Sequence, residues 1–339
     1  MALPALRNLR KQWFPPAPQF TDKNVPPQKG KVFIVTGGNA GVGYALIKLL
    51  YPTGATIYMA SRSKERAEKA IAELEASTPA SETLGKIKFL HLDLIDLVSV
   101  KAAAEEFAKQ ETRLDMLWNN AGIGANNIPM GAKTAQGLDV MFGVHVVASL
   151  LFTNLLVPQL KAASTGGASA RVIWTSSFLA EGITPPNGID FALLDEGHPH
   201  LTENYAISKA GNWMIGREFA KRYRKDGIIS VIQNPGGLKT NMYAGVPAVG
   251  QFFINMLLNE PIYGAYTNLY AAFSPDISLA NNGAYVIPWG RLHEDKDSPR
   301  KDIINAMTDE EKGGLGYPKK VWEYCESKWV ASGVWNACG

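Results

Sequence analysis

Tyr205 and Lys209 are the side chains whose spacing most directly indicates chemistry. They stand four residues apart at the start of a helical pattern, so they share one helix face about one turn apart. A free phenol has a pKa of about 10, and a fixed ammonium beside it favours the phenolate. Tyr205 can then exchange a proton with a substrate oxygen, and the hydroxyl of Ser177 can hold that oxygen. Because a YxxxK spacing is also typical of an exposed helix start with a surface lysine, the surrounding elements must decide.

A glycine-rich turn lies within residues 32–43, VFIVTGGNAGVG. The apolar run before it predicts a buried parallel strand, and the residues after it predict a helix. Gly37, Gly41 and Gly43 allow a tight turn and close approach of a pyrophosphate, whose charge the helix N-terminus favours. This context predicts a dinucleotide-binding turn. The alternative is an ordinary glycine turn in an unrelated α/β fold.

The end of the second predicted strand indicates which dinucleotide binds. Many NAD-binding folds carry an acidic residue there that hydrogen-bonds the ribose 2′-hydroxyl. This chain has Ser61 and Arg62 instead. A guanidinium suits a 2′-phosphate, which an acidic residue would repel, so we predict NADP(H) as the cofactor. In the alternative interpretation, Arg62 only ends the strand and faces solvent.

Predicted strands alternate with helices along the chain, which is typical of an α/β fold with a parallel sheet. We expect a single Rossmann-type doubly wound parallel sheet of about seven strands with helices on both faces. The predicted strands after the first fall at residues 55–60, 86–94, 114–118, 171–177, 227–233 and 283–290. The predicted domain covers residues 31–290, after an extended proline-rich arm at 1–30 and before a loop and helix at 291–339 that pack on the same domain.

The order of the motifs resembles that of the short-chain dehydrogenase/reductase family. The chain carries TGGNAGVG at 36–43, NNAG at 119–122, YAISK at 205–209 and NPG at 234–236. The long loop between Ser177 and Tyr205 is similar to that of the retinol-dehydrogenase-like branch and its fungal relatives. The resemblance implies that Ser177, Tyr205 and Lys209 are catalytic, and it favours Ser177 over Ser176 because Ser177 directly precedes the loop. It implies cofactor contacts from Gly37, Asn39, Gly41, Val42, Gly43, Ser61, Arg62, Asp93, Leu94, Asn120, Gly122, Tyr205, Lys209, Pro235, Gly236, Leu238 and Thr240.

His145 departs from the family pattern, which usually has an asparagine at this position. In the family that asparagine helps to hold a water that links the lysine to solvent. Histidine can also donate or accept a hydrogen bond, and it titrates near neutrality. His145 could therefore preserve the proton relay, impair it, or serve proton chemistry on a carbonyl without redox turnover. The plain alternative is a core histidine bonded to a backbone carbonyl.

The apolar segment around this histidine covers residues 140–157, VMFGVHVVASLLFTNLLV. Its length is at the short end for a membrane span, and His145 and Asn154 would be costly in lipid. A buried crossover helix between the fourth and fifth strands suits it better. We therefore predict no membrane span.

The amino-acid composition of the chain limits which partners, metals and cellular compartments we expect. The chain has 339 residues, 46% of them hydrophobic, and a formal net charge of +3 with neutral histidines. Its basic residues are scattered, so we expect no nucleic-acid partner. Cys325 and Cys338 have no metal-ligand spacing, so we expect no metal, and the two cysteines suit a reducing compartment. The N-terminus lacks a signal-peptide pattern, and we predict a cytoplasmic location.

The substrate lid of the family corresponds to residues of about 241–266. Its apolar cluster, from Phe252 to Leu258, suits an apolar ligand, or else a helix packed on the core or at a homodimer interface. We predict an NADPH-dependent oxidoreductase that interconverts a ketone or aldehyde and an alcohol. A medium-sized apolar substrate fits best, such as a polyketide, a terpenoid or a retinoid-like compound. The alternatives are an isomerase or cyclase that binds NADP(H) structurally and uses His145, and a cofactor-sensing protein without turnover.

Overall fold

The computed structural model of the chain describes residues 2–239 and 258–336. Predicted features at Thr240, at residues 241–257 of the lid and at Cys338 lie outside these residues. Eight strands form one sheet: β1 Val32–Thr36, β2 Thr56–Ser61, β3 Lys86–His91, β4 Met116–Asn119, β5 Arg171–Thr175, β6 Ile229–Gln233, β7 Tyr285–Ile287 and β8 Arg291–His293. Their spatial order is β3-β2-β1-β4-β5-β6-β7-β8.

Strands β1 to β7 pair in parallel, whereas β8 runs antiparallel to β7. The predicted α/β fold with one doubly wound sheet is confirmed. The sheet has one strand more than expected, because the chain turns back at residue 290 and pairs β8 against the edge of β7. Ligands bind such sheets where the strand order reverses, which here is between β1 and β4.

Helices cover both faces of the sheet. They are α1 Ala2–Trp13, α2 Gly41–Leu50, α3 Lys64–Ser77, α4 Leu97–Gln110, α5 Val140–Phe142, α6 Ser149–Leu155, α7 Val157–Ala163, α8 Leu179–Gly182, α9 Leu201–Arg222, α10 Pro261–Phe273, α11 Lys301–Met307 and α12 Tyr317–Ala331. Successive strand residues point to opposite faces. In β1, Val32 and Ile34 therefore join one core cluster and Phe33 and Val35 join the other.

The apolar segment that contains His145 crosses over from β4 to β5, as predicted. All residues of 140–154 are buried. A π-helical turn at Gly143–Ala148 separates α5 from α6, so the segment is not one regular helix. Among residues 2–239 and 258–336, no single helix is long and apolar enough to cross a membrane. The pair Val140–Leu155 and Val157–Ala163, bent by 56°, reaches that length and composition only together.

The N-terminal segment differs from the extended arm predicted for residues 1–30. Helix α1 occupies Ala2–Trp13, and irregular chain follows it. Most prolines of the segment lie beyond α1, starting at Pro15. Pro4 falls in the first turn of α1, where a backbone N–H has no helical partner to lose. The prediction is therefore corrected for residues 2–13.

Candidate functional site

A cavity of about 960 Å³ lies at the carboxyl ends of the strands. Most of the side chains predicted to act or to bind a cofactor line it. They are Gly37, Asn39, Gly41, Val42, Ser61, Arg62, Asp93, Leu94, Asn120, Gly122, Ser177, Tyr205, Lys209, Pro235, Gly236 and Leu238. Gly43 and His145 contact residues of this lining from behind it.

The glycine turn connects β1 to α2 at one end of the cavity. Gly37 has a φ of +67°, which favours glycine, and α2 begins at Gly41 with its N-terminus towards the cavity. A Cβ on Gly43 would collide with the Gly37 carbonyl oxygen and would lie 2.7 Å from Asn120 Nδ2. Asn120 Nδ2 donates to the Thr36 carbonyl at 2.9 Å, which ties the turn to the end of β4. The turn thus presents backbone and a positive helix end to any anionic group.

Two guanidinium groups line the cavity near the end of β2. Arg62 follows the strand directly, and Arg66 lies in the first turn of α3, where its N–H donates to the capping Ser63 Oγ at 3.4 Å. Both arginines are exposed. Arg66 was not among the predicted cofactor contacts, although its spacing of four residues from Arg62 across the strand–helix junction was a usable signal. This end of the cavity therefore carries the cationic groups that suit a phosphate.

Tyr205 and Lys209 are both buried on α9 and face the same cavity. Lys209 Nζ lies 5.5 Å from the centre of the Tyr205 ring and donates to the Thr175 carbonyl at 2.9 Å. Burial lowers the pKa of Lys209 from 10.5 to about 7. The amine is therefore poised between its two protonation states near neutral pH.

The two candidate serines have different hydrogen-bond partners. Ser176 is buried, and its Oγ donates to the Lys209 carbonyl at 2.8 Å. Ser177 is partly exposed, and its Oγ accepts the Leu179 N–H at 3.2 Å. The Ser177 hydroxyl proton is not used in that bond, so Ser177 can still donate into the cavity, whereas the Ser176 proton is held by the backbone.

His145 is fully buried in the π-helical turn, and both of its ring nitrogens are hydrogen-bonded. Nε2 accepts the Ile123 N–H at 2.8 Å, so in the neutral ring the proton sits on Nδ1. Nδ1 then donates to Ser208 Oγ at 2.7 Å, and Ser208 Oγ donates to the Tyr205 carbonyl at 2.7 Å. Burial, and secondly the charge of Lys209, hold the pKa of His145 well below its usual value. Through these contacts the neutral His145 ring connects the loop after β4 to α9.

Part of the cavity wall comes from residues that the sequence analysis did not single out. Gln12 and Trp13, at the end of α1, line it together with Phe178. The Trp13 and Phe178 rings meet edge to face with centroids 5.7 Å apart. A sequence alone gives no sign that residue 13 reaches residue 178, because no motif spans the two.

Curated proteins are similar to this chain over nearly its whole length. The short-chain dehydrogenase/reductase iacJ of Pestalotiopsis fici is 46% identical over 96% of this chain and 98% of its own length. The short-chain dehydrogenase/reductase bet4 of Neocamarosporium betae is 40% identical over 94% of this chain and 91% of its own length.

Solved structures share the fold at lower identity. The NADPH-bound carbonyl reductase from chicken fatty liver has a TM-score of 0.57 and 24% identity, covering 79% of this chain and 99% of that chain. A 3-oxoacyl-[acyl-carrier protein] reductase from Brucella melitensis in complex with NAD has a TM-score of 0.58 and 24% identity, covering 75% of this chain and 94% of that chain. A family model described as short chain dehydrogenase matches residues 31–187, which include the glycine turn, NNAG and both serines. On the similarity to its fungal relatives and this match, the chain belongs to the short-chain dehydrogenase/reductase family.

Proposed function

We propose that the protein is an NADPH-dependent oxidoreductase that interconverts an apolar ketone or aldehyde and the corresponding alcohol. One observation carries the proposal. The acid–base candidates Tyr205, Lys209 and Ser177 line the same cavity as the glycine turn and the two arginines. A proton donor and a dinucleotide-binding turn that share one cavity are the requirements for carbonyl reduction.

The residues of the cavity suit a dinucleotide phosphate. The turn at Gly37 leaves no room for a Cβ at Gly43, and α2 directs its N-terminus at the space beyond. Arg62 and Arg66 would hold the 2′-phosphate that distinguishes NADP(H) from NAD(H). The related structures include both an NADPH and an NAD complex. The preference for NADP(H) is therefore inferred from the two arginines of this chain.

The bound NADPH would supply the hydride. Tyr205 would donate the proton to the carbonyl oxygen, and Ser177 would hold that oxygen through its hydroxyl. In its protonated form Lys209 would favour the tyrosinate that remains, because a cation beside a phenolate lowers the free energy of the charged form. His145 would act as a positioning residue, since its contacts fix the Ile123 backbone and the α9 backbone at Tyr205.

Apolar side chains in the cavity lining favour an apolar substrate of medium size. Trp13, Phe178 and Leu238 line the cavity together with Leu179 and Ile128. Apolar and aromatic linings with few polar groups bind ligands of matching character. A sugar or an amino acid would leave its polar groups without partners there, and such groups are costly to bury.

Label transfer tests the reaction. The protein would be incubated with NADPH that carries deuterium on the transferred position, together with a panel of apolar ketones and aldehydes, and the products analysed by mass spectrometry. An alcohol that carries one deuterium supports the proposal. A product of unchanged mass without label would refute it and favour an isomerase or cyclase. Cofactor binding without any product would favour a sensor.

Arginine variants test the cofactor preference. Arg62→Ala and Arg66→Ala should each raise the KM for NADPH about tenfold or more, because a hydrogen bond to a charged group contributes about 1.5–3 kcal/mol. The KM for NADH should change little. Lys64→Ala is the matched control, since Lys64 also lies in the first turn of α3 but pairs with Glu68 at 3.6 Å. Equal losses with both cofactors would contradict the assignment.

A further inference from the structure

The buried carboxylate of Glu181 accepts hydrogen bonds from helix α1. Glu181 of α8 is 4% exposed, and its Oε2 accepts hydrogen bonds from Asn8 at 3.1 Å and from Gln12 at 2.8 Å. Its Oε1 accepts from Ser298 at 2.6 Å and lies 3.4 Å from His293 Nε2. Burial alone would raise the pKa of Glu181, but these hydrogen bonds lower it on balance. The carboxylate is therefore charged and shared between α1 and the segment after β8.

Gln12 extends this network to the cavity. Its Nε2 donates to Glu181, and its Oε1 accepts from Asn234 Nδ2 at 2.7 Å. Asn234 Oδ1 in turn accepts the Gly236 N–H at 3.0 Å. One buried glutamine thus connects α1 to the turn after β6 that lines the cavity.

Over residues 6–12, whose side chains the structure describes, the faces of α1 are reversed relative to an ordinary surface helix. A surface helix usually buries an apolar stripe and exposes its polar residues. Helix α1 buries Asn8 and Gln12, whereas Leu6 is 64% exposed and Leu9 is 38% exposed. Directional hydrogen bonds to Glu181 therefore fix the rotation of α1 more than apolar burial does. This rotation sets where the last residue of α1, Trp13, points.

Trp13 reaches the cavity beside the candidate catalytic serine. Its ring packs against Phe178, the residue after Ser177, and a Cβ added to Gly237 would lie 3.5 Å from the Trp13 ring. Trp13 therefore lies between the loop after β5 and the turn after β6. The first of these elements carries Ser177, which is proposed to hold the carbonyl oxygen, and the second carries Pro235, which is expected to contact the cofactor.

We propose that Trp13 and Phe178 form an aromatic subsite that binds the apolar chain or ring of the substrate, and that Gln12 and Glu181 are positioning residues for it. The ligand class is a carbonyl compound with an extended hydrocarbon portion. The subsite deepens the proposed function, and the reaction that it serves rests on that function. Binding of the hydrocarbon portion can be measured without turnover.

A series of methyl ketones from 2-butanone to 2-undecanone tests the subsite. In the parent protein, kcat/KM should rise with chain length. Trp13→Ala should lower kcat/KM for 2-undecanone about tenfold or more, since buried aromatic side chains dominate such contacts, and should change the value for 2-butanone less than about threefold. Phe14→Ala is the matched control, because Phe14 is the next residue and is 67% exposed. An unchanged chain-length dependence in Trp13→Ala, or an equal loss for both ketones, would overturn the subsite.

Calorimetric titration of 2-undecanone into the NADP⁺-loaded protein separates the subsite from the reaction. If the parent reduces no ketone, the proposed function fails for ketones, yet loss of 2-undecanone binding in Trp13→Ala but not in Phe14→Ala still supports the subsite. Equal binding in the two variants, or no binding by the parent, overturns it.

A double-mutant cycle tests the positioning role of Gln12. Gln12→Met keeps the side-chain length but removes the hydrogen bonds, so it should raise the KM for 2-undecanone by a larger factor than the KM for 2-butanone. Combining it with Trp13→Ala should add little further loss, because both changes act through one subsite. Additive losses would show that Gln12 acts independently and would overturn the positioning assignment.

Discussion

Replacing Lys209 by methionine removes a titratable amine from the interior of the protein. Burial lowers the pKa of Lys209 from 10.5 to about 7. Between these two values the unfolded chain binds a proton that the folded protein does not, so the free energy of unfolding rises with pH. Below pH 7 both states carry the proton, and the cost of burying the charge is largest there. The Lys209→Met variant lacks this pH dependence.

The size of this change in the free energy of unfolding follows from the difference between the folded and unfolded pKa values of Lys209. Each pH unit between the folded and unfolded pKa values contributes about 1.4 kcal/mol, so from about pH 7.5 to about pH 9.5 the parent should gain about 3 kcal/mol relative to Lys209→Met. Urea unfolding followed by tryptophan fluorescence at several pH values measures the difference. Loss of the bond from Lys209 Nζ to the Thr175 carbonyl adds only a constant offset.

Lys221→Met is the matched control for this experiment. Lys221 lies on the same helix as Lys209, its side chain is 56% exposed, and its ion pair with Asp309 raises its pKa. The difference between the parent and Lys221→Met should therefore stay flat over the same pH range. If the parent and Lys209→Met instead give parallel curves, the lysine keeps an ordinary pKa and the reasoning from burial is refuted.

Three further predictions concern the site itself. His145→Asn should leave the pH dependence of kcat unchanged between about pH 7 and pH 8, because burial holds the pKa of His145 well below its usual value and favours the neutral ring; a changed pH profile in this range would contradict this. Ser177→Ala should lower kcat about 100-fold and Ser176→Ala less than about tenfold in steady-state assays, and the reverse order would assign the reaction to Ser176. Gly43→Ala should weaken NADPH binding at least about tenfold in a fluorescence titration, since its Cβ collides with the Gly37 carbonyl; unchanged affinity would refute the close fit of the turn.

The sheet was predictable because its strands are short apolar runs bounded by turn residues. Val32–Val35 are buried on both faces of the sheet, which demands side chains that are apolar at every position. The eighth strand was missed because β8 is a three-residue edge strand with polar residues, Arg291 and His293. Its pairing depends on main-chain hydrogen bonds that do not require a particular side-chain pattern.

The parts of the candidate site that lie within short sequence motifs were predictable, and the parts built by contacts between distant residues were not. The glycine turn and the Tyr205–Lys209 pair could be recognised because each is contained within a few consecutive residues. Trp13 and Gln12 could not, since their partners Phe178 and Glu181 lie far away in the sequence. Sequence periodicity describes which face of a helix is apolar, whereas α1 buries the polar side chains of Asn8 and Gln12.

His145 shows why a residue type does not determine a role. The π-helical turn that carries it is held by two side chains, because Ser149 Oγ donates to the Val144 carbonyl at 2.9 Å and Asn212 Nδ2 donates to the His145 carbonyl at 2.9 Å. The turn directs the imidazole between the Ile123 backbone and Ser208. A solvent-exposed imidazole titrates near neutrality, but the burial of His145 favours its neutral ring. The contacts therefore make His145 a connector between the cavity loop and α9.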